Sequence, residues 1–158
     1  MKLKLFVFIF LSQLSLAFSE TDDLCWTKEE NPATKQPYSS YNEWDNDVFE
    51  WRRKYHSQFN LVLLVKAFSA YSKERAKANS FGNDKIAHCY IGCRIAQRTD
   101  FRTSRFAAWY KEFKDITDCK IDTHFEAKDY EATLLGANAG RNKNTDCERV
   151  CQIGRAHV

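Results

Sequence analysis

Two pairs of cysteines, each spaced by four, constrain this chain more than any other feature: Cys89 with Cys93, and Cys147 with Cys151. On a helix, residues four apart share one face, a turn from each other. Two antiparallel helices carrying such pairs can be joined twice, Cys89 to Cys151 and Cys93 to Cys147. The other two cysteines, Cys25 and Cys119, would then pair and tie the N-terminal segment down. Six cysteines allow 15 pairings, and the spacing favours this one. The competing use of two C-x-x-x-C arms is a four-thiolate zinc site.

Compartment bears on that choice. The chain begins MKLKLFVFIFLSQLSLAFSE. Lys2 and Lys4 make a short positive region, Leu5 to Leu16 is mostly apolar and uncharged, and Ala17-Phe18-Ser19 offers small residues before a cut at Glu20. This reads as a secretory signal peptide over residues 1–19, with an apolar core too short to span a bilayer comfortably. Nothing later is long and apolar enough to cross a membrane, so no membrane span is expected after signal removal. An even cysteine count behind a signal peptide favours three disulfides over zinc. The expected location is secreted or periplasmic. At the other end IGRAHV, residues 153–158, reads as a translated sequencing-library adapter and takes no part in fold reasoning.

Removing 19 residues from 158 leaves 139, the size of one domain with a real core. Aromatics at 15 % argue against disorder. The net charge of +3 falls to +1 without Lys2 and Lys4, and to zero without Arg155. A balanced surface gives no electrostatic case for nucleic acid as the main partner.

The fold class expected is mostly α, a small helical bundle stapled by disulfides. Residues 20–39 are polar, contain both prolines and read as an irregular arm, with Trp26 placed to anchor it; residues 40–152 form the helical domain. Ser40-Tyr-Asn-Glu43 fits a capping box. Trp44, Val48, Phe49, Trp51 and Tyr55 follow at helical spacing. Gln58 to Tyr71 continues as helix, with Leu61, Leu64, Val65, Phe68 and Tyr71 as its apolar positions, and Lys73 to Lys77 as its solvated end. Ser80 to Asn83 breaks the pattern. A helix from about Asp84 to Arg98 comes next. Another runs from Phe101 to Asp118, burying Phe106, Trp109, Tyr110, Phe113 and Ile116. Thr123-His-Phe-Glu126 and Thr145-Asp-Cys-Glu148 fit two further capping boxes; the first opens a helix to about Arg141, the second a short terminal one. No strand is expected.

The residues able to carry chemistry are few. His88 lies four after Asp84, so the two can touch along one helix face. A carboxylate beside an imidazole serves general bases and metal-ligating histidines. It is equally a helix-start aspartate near a half-buried histidine. Glu112 and Asp115 lie three apart on the next helix. Asp129 and Glu131 are two apart and cannot share a face, and Glu126 is taken up as a capping residue. His124 with Lys128 reads as surface. There is no His-Glu-x-x-His, nucleophile elbow or phosphate loop, and paired cysteines leave no thiol nucleophile. Spacing assigns no set of metal ligands, and no cofactor is implied. Gly136 and Gly140 suit close packing against a neighbouring helix; the alternative is close backbone approach to a ligand, with Arg141 as an anion clamp.

In order, the chain carries D-K-x-x-H-C-x-x-x-C at 84–93, K-E-x-x-D at 111–115, D-x-E-A at 129–132, a glycine at 136 and C-x-x-x-C at 147–151. This resembles the variable C-terminal tip domains of bacterial RHS-repeat, polymorphic-toxin proteins and related small exported proteins. Thr133 stands where those tips tend to carry asparagine. The resemblance implies an exported effector-like or toxin-tip-like domain, and a cognate protein as the kind of partner to expect. It marks Asp84, Lys85, His88, Glu112, Asp115, Asp129 and Glu131 as positions that could converge. As an enzyme, the chain would use His88 as general base, with Asp84, Glu112, Asp115 and Glu131 as candidate catalytic carboxylates. Whether it is an enzyme stays open. The alternative is a non-enzymatic envelope binding module (an inhibitor, immunity-like or adaptor protein), with Trp44, Trp51 and Tyr55 as exposed contact aromatics.

Overall fold

The computed structural model describes residues 26–31, 34–55, 57–117 and 125–153. The signal-peptide reading, the Cys25–Cys119 pair, His124 and the IGRAHV tail beyond Ile153 lie outside the described residues. Among the described residues, a short 3-10 turn, Trp26–Lys28, precedes six α-helices: α1 Tyr41–Lys54, α2 Leu61–Asn79, α3 Asp84–Arg98, α4 Phe101–Thr117, α5 Ala127–Ala139 and α6 Cys147–Ile153. The one β feature among the described residues is an isolated bridge, Glu30 with Pro37.

Side-chain caps set several of the starts. Ser40 accepts from Glu43 N–H ahead of α1, Asn60 from Leu63 N–H ahead of α2, and Asn83 from Ile86 N–H ahead of α3. Each satisfies one of the donors that a helix start leaves orphaned. Asp100 does the same for α4 by accepting from Thr103 N–H at 2.8 Å. Two expected boxes shift. Glu126 does not reach back as a third helical residue; it is itself the N-cap of α5, makes no side-chain cap bond, and sends its carboxylate elsewhere. Ahead of α6, Asp146 rather than Thr145 is the capping acceptor, taking Arg149 N–H at 3.1 Å. Glu148 pairs instead with Lys77 of α2 at 2.9 Å.

Helix α3 is the centre of the molecule. It packs most closely on α5, and also on α2, α4 and α6. Glycines permit the α3–α5 approach. A Cβ added at Gly136 would lie 1.8 Å from the carbonyl oxygen of Cys89, and one at Gly92 would lie 2.1 Å from that of Thr133. Gly140 lies as tightly against the Cys93 carbonyl. Thus the glycines serve helix packing rather than a ligand, and Arg141 stacks on the Phe101 ring, 3.8 Å from its centroid. The two predicted bridges form, Cys89–Cys151 and Cys93–Cys147, with Cα atoms 5.7 Å apart in each. They fix α6 antiparallel to α3 and leave no thiolate arms for zinc at these four positions.

The main apolar core lies to one side. Trp44, Val48 and Trp51 of α1 meet Phe106, Trp109 and Ile116 of α4, with Phe125 and Tyr130 closing it and Trp26 packed against its edge. Trp44 and Trp51 are therefore core residues, not an exposed contact patch, and Tyr55 is half-buried against the same cluster. Helix α2 also turns the other way from its hydrophobic pattern. Its buried positions are Ala67, Ala70, Glu74 and Ala78, while Leu61, Val62, Val65 and Phe68 are exposed. The small residues face inward because α2 lies close against α3. Glu74, inside the run expected to be solvated, accepts from Tyr90 Oη at 2.7 Å and Arg98 Nε at 2.6 Å, and pairs with Arg94.

Candidate functional site: the α3–α5 polar face

The close helix pairing places His88, on the first turns of α3, against the first turns of α5. His88 Nε2 lies 3.5 Å from Asp84 Oδ1 and 3.6 Å from Asp129 Oδ2. These three ligand-type atoms all lie within 4.8 Å of one another. On the other side of the ring, Nδ1 lies 3.2 Å from Thr133 Oγ1. That hydroxyl donates its own proton to the Asp129 carbonyl at 2.8 Å. With its hydrogen committed, Thr133 can only accept from His88, so Nδ1 carries the proton and, in the neutral ring, Nε2 presents a lone pair. The expected arrangement, a carboxylate orienting the imidazole, is thus replaced: a hydroxyl orients it, and both carboxylates stand on the side of the reactive nitrogen.

Lys85, next in the chain to Asp84, ties the surrounding acids. Its ammonium donates to Asp129 Oδ1, lies 3.2 Å from Asp84 Oδ2, and lies 2.9 Å from Glu126 Oε2. Each aspartate therefore gives one oxygen to Lys85 and the other to the His88 side. Burial works against the Lys85 charge, but Asp129 and Glu126 outweigh it and hold its pKa above the usual lysine value. For Asp129 burial dominates and raises the carboxyl pKa, despite His88 and Lys85. Asp84, whose side chain is 64 % exposed, goes the other way: burial opposes its charge, yet His88 and Lys85 lower its pKa.

Of the remaining predicted residues, Glu112 lies beneath this face. It is 1 % exposed, accepts from Glu126 N–H at 3.0 Å, and burial drives its pKa up to about 8, with Glu126 N–H and Lys111 opposing. Asp115 is buried one turn on and is bound by Lys111. Glu112 supports the floor of the face through Glu126 N–H and feels the negative charge of Asp129. Glu131 points away from the cluster, accepting from Tyr55 Oη at 2.7 Å near Lys54. The α3–α5 face thus brings Asp84 and His88 together, adds Asp129 and Lys85, and leaves Glu131 out. Thr133 is the residue of this face that sequence reasoning missed. It lies 45 positions from His88 in the chain, and no local pattern links them.

The chain matches no family model, no curated protein and no solved structure.

Proposed function

We propose that this chain is an exported effector of the toxin-tip kind, in which Asp84, His88 and Asp129 form a hydrolytic centre that activates a water. The observation that carries this reading is the His88 ring: held at Nδ1 by Thr133, it turns an available Nε2 toward two carboxylate oxygens. In the cation-free protein Nε2 accepts the proton of a water, and Asp84 and Asp129 stabilise the imidazolium that forms. The low exposure of Asp129 strengthens that stabilisation, because charges interact more strongly away from solvent. Disulfides that hold α6 to α3 support an oxidising destination, secreted or periplasmic. The competing use of the same residues is a polar network that fixes helix register.

The test is His88→Ala in the exported protein, scored by growth of a test cell with the protein directed to periplasm or cytoplasm. Growth inhibition should disappear while Tm changes by no more than a few degrees, as for a substitution outside the core. Asp84→Asn, at an exposed carboxylate, should give the same loss. Inhibition that persists in both variants sinks the hydrolytic reading. A collapse of Tm in His88→Ala together with full inhibition in Asp84→Asn assigns the cluster to the structural network.

One observation favours a second reading, a binding module for a protein partner. Phe59, Leu61, Val62, Val65 and Phe68 are each about 60 % exposed or more and follow one another along the start of α2. The contact aromatics expected at Trp44 and Trp51 are buried, so the binding face of such a module lies here.

A further inference from the structure

We propose that His88 Nε2, Asp84 Oδ1 and Asp129 Oδ2 bind one divalent first-row transition cation, Zn²⁺ or Mn²⁺, with solvent or substrate oxygens completing its coordination. The inference deepens the hydrolytic reading and rests on it for the role of the cluster, but its geometry stands by itself.

Three ligand-type atoms converge, one each from Asp84, His88 and Asp129. Thr133 fixes the Nδ1–H tautomer, which leaves Nε2 bare in the neutral ring. Bare nitrogen facing two carboxylate oxygens is repulsive unless a positive centre stands among them. A proton on Nε2 would supply one, but a charge-assisted N–H···O bond closes to about 2.7–2.9 Å. The observed separations are 3.5 and 3.6 Å. Bonds of about 2.0–2.2 Å in a tetrahedral shell set neighbouring ligands ~3.4 Å apart, close to the two separations from Nε2, and all three ligand atoms lie within 4.8 Å of one another.

Charge leads to the same valence. Asp84, Glu126 and Asp129 bring three negative charges around one ammonium, Lys85, so two remain. A divalent cation neutralises those two. Lys85 does not compete for the centre, because it takes the outer oxygens, Asp84 Oδ2 and Asp129 Oδ1, and so aims the inner ones. Such outer partners orient the ligands of metal sites generally. One imidazole and two carboxylates suit Zn²⁺ or Mn²⁺ better than a soft ion such as Cu⁺. A bound cation would lower the pKa of its water, which would then release its proton to solvent and stay on the cation as hydroxide, while Nε2, its lone pair given to the cation, would take no proton.

The experiment is a Zn²⁺ titration of the chelator-stripped, disulfide-intact exported protein, followed by calorimetry and by Tm. One Zn²⁺ per chain should bind at micromolar concentration or below, and Tm should rise by several degrees. His88→Ala, Asp129→Asn and Asp84→Asn should each weaken binding at least tenfold, and Glu131→Gln, outside the cluster, should not. Asp84→Asn keeps the test decisive if a buried variant fails to fold. Lack of saturable binding in the parent overturns the proposal. So does equal binding in the three variants, which would place the ion at one of the other three histidines, His56, His124 or His157. The two proposals fail separately. A protein that binds no Zn²⁺ yet loses growth inhibition in His88→Ala keeps the cation-free mechanism. One that binds Zn²⁺ at the cluster while His88→Ala stays inhibitory has the metal site without the hydrolytic role.

Discussion

Glu112 shows what burial does to a single carboxyl. Its folded pKa of about 8 stands above the ordinary 4.5, so folding takes up a proton there between those values. A carboxyl raised in this way destabilises the fold progressively as pH climbs from about 4.5 to 8, and the cost is then constant. Glu112→Gln removes the titration while its amide oxygen can still accept from Glu126 N–H. The variant should match the parent near pH 4 and exceed it by about 4 kcal/mol at pH 8, read from denaturant melts at both pH values. Equal stability differences at the two pH values would show that the carboxyl does not titrate late. Glu74 has the opposite sign. Burial works against its charge, but Arg94, Tyr90 and Arg98 hold it at about 2, so its contribution is present above pH 4.5 and fades as pH falls toward 2. Sequence spacing found Glu112 and placed Glu74 in a solvated run. Burial decides the state of both, and burial depends on which way a helix turns.

Helix α6 depends on its two bridges at the scale of an element. It has 7 residues, too few to be stable alone in water. The bridges are nested: Cys89–Cys151 spans 62 positions and encloses Cys93–Cys147, which spans 54. In the chain-entropy view, the first bridge to close constrains a long loop and is worth about 4 kcal/mol. The second closes only a short ring of about ten residues and adds about 3 kcal/mol. Replacing both cysteines of either bridge with alanine should therefore cost about 3 kcal/mol, whichever bridge is chosen. Replacing all four should cost about 7 kcal/mol, more than twice the single loss. Urea melts of the three proteins check this, and strict additivity would refute the nested-loop account. Spacing by four was enough to foresee the pairing, because it follows from helix pitch alone. The N-cap of α5 stands at Glu126, three residues after the expected Thr123, and the capping acceptor of α6 at Asp146, one after Thr145; Lys85 and Lys77 take up the Glu126 and Glu148 carboxylates instead.

At the scale of the whole molecule, the apolar side of α2 is left facing outward. Ala67, Ala70 and Ala78 pack inward, and Leu61, Val62, Val65 and Phe68 form the outer face. Charging that face with Val65→Glu and Phe68→Glu together should leave Tm within about 2 °C of the parent, because neither side chain belongs to the core. The same pair of changes should abolish capture of a protein partner if the chain is a binding module. It should leave growth inhibition intact if the α3–α5 face alone acts on the target. A fall in Tm well beyond that range would mean the face is covered within the native molecule.

The sequence by itself determined the helical class, the extent of α3, the apolar positions of α4 and the pairing of Cys89 with Cys151 and Cys93 with Cys147. Each follows from short-range periodicity, through which neighbours on one helix face know of each other. It also brought Asp84 and His88 to one face for the same reason. Only the tertiary structure decided that Asp129 and Thr133 complete that face, that Glu131 leaves it, and that α2 presents its small residues to the core. The make-up of the α3–α5 face rests on Gly92, Gly136 and Gly140 letting two backbones nearly touch, and the turn of α2 on its packing against α3. A contact of that kind joins residues some 40 positions apart and leaves no periodic trace in either segment.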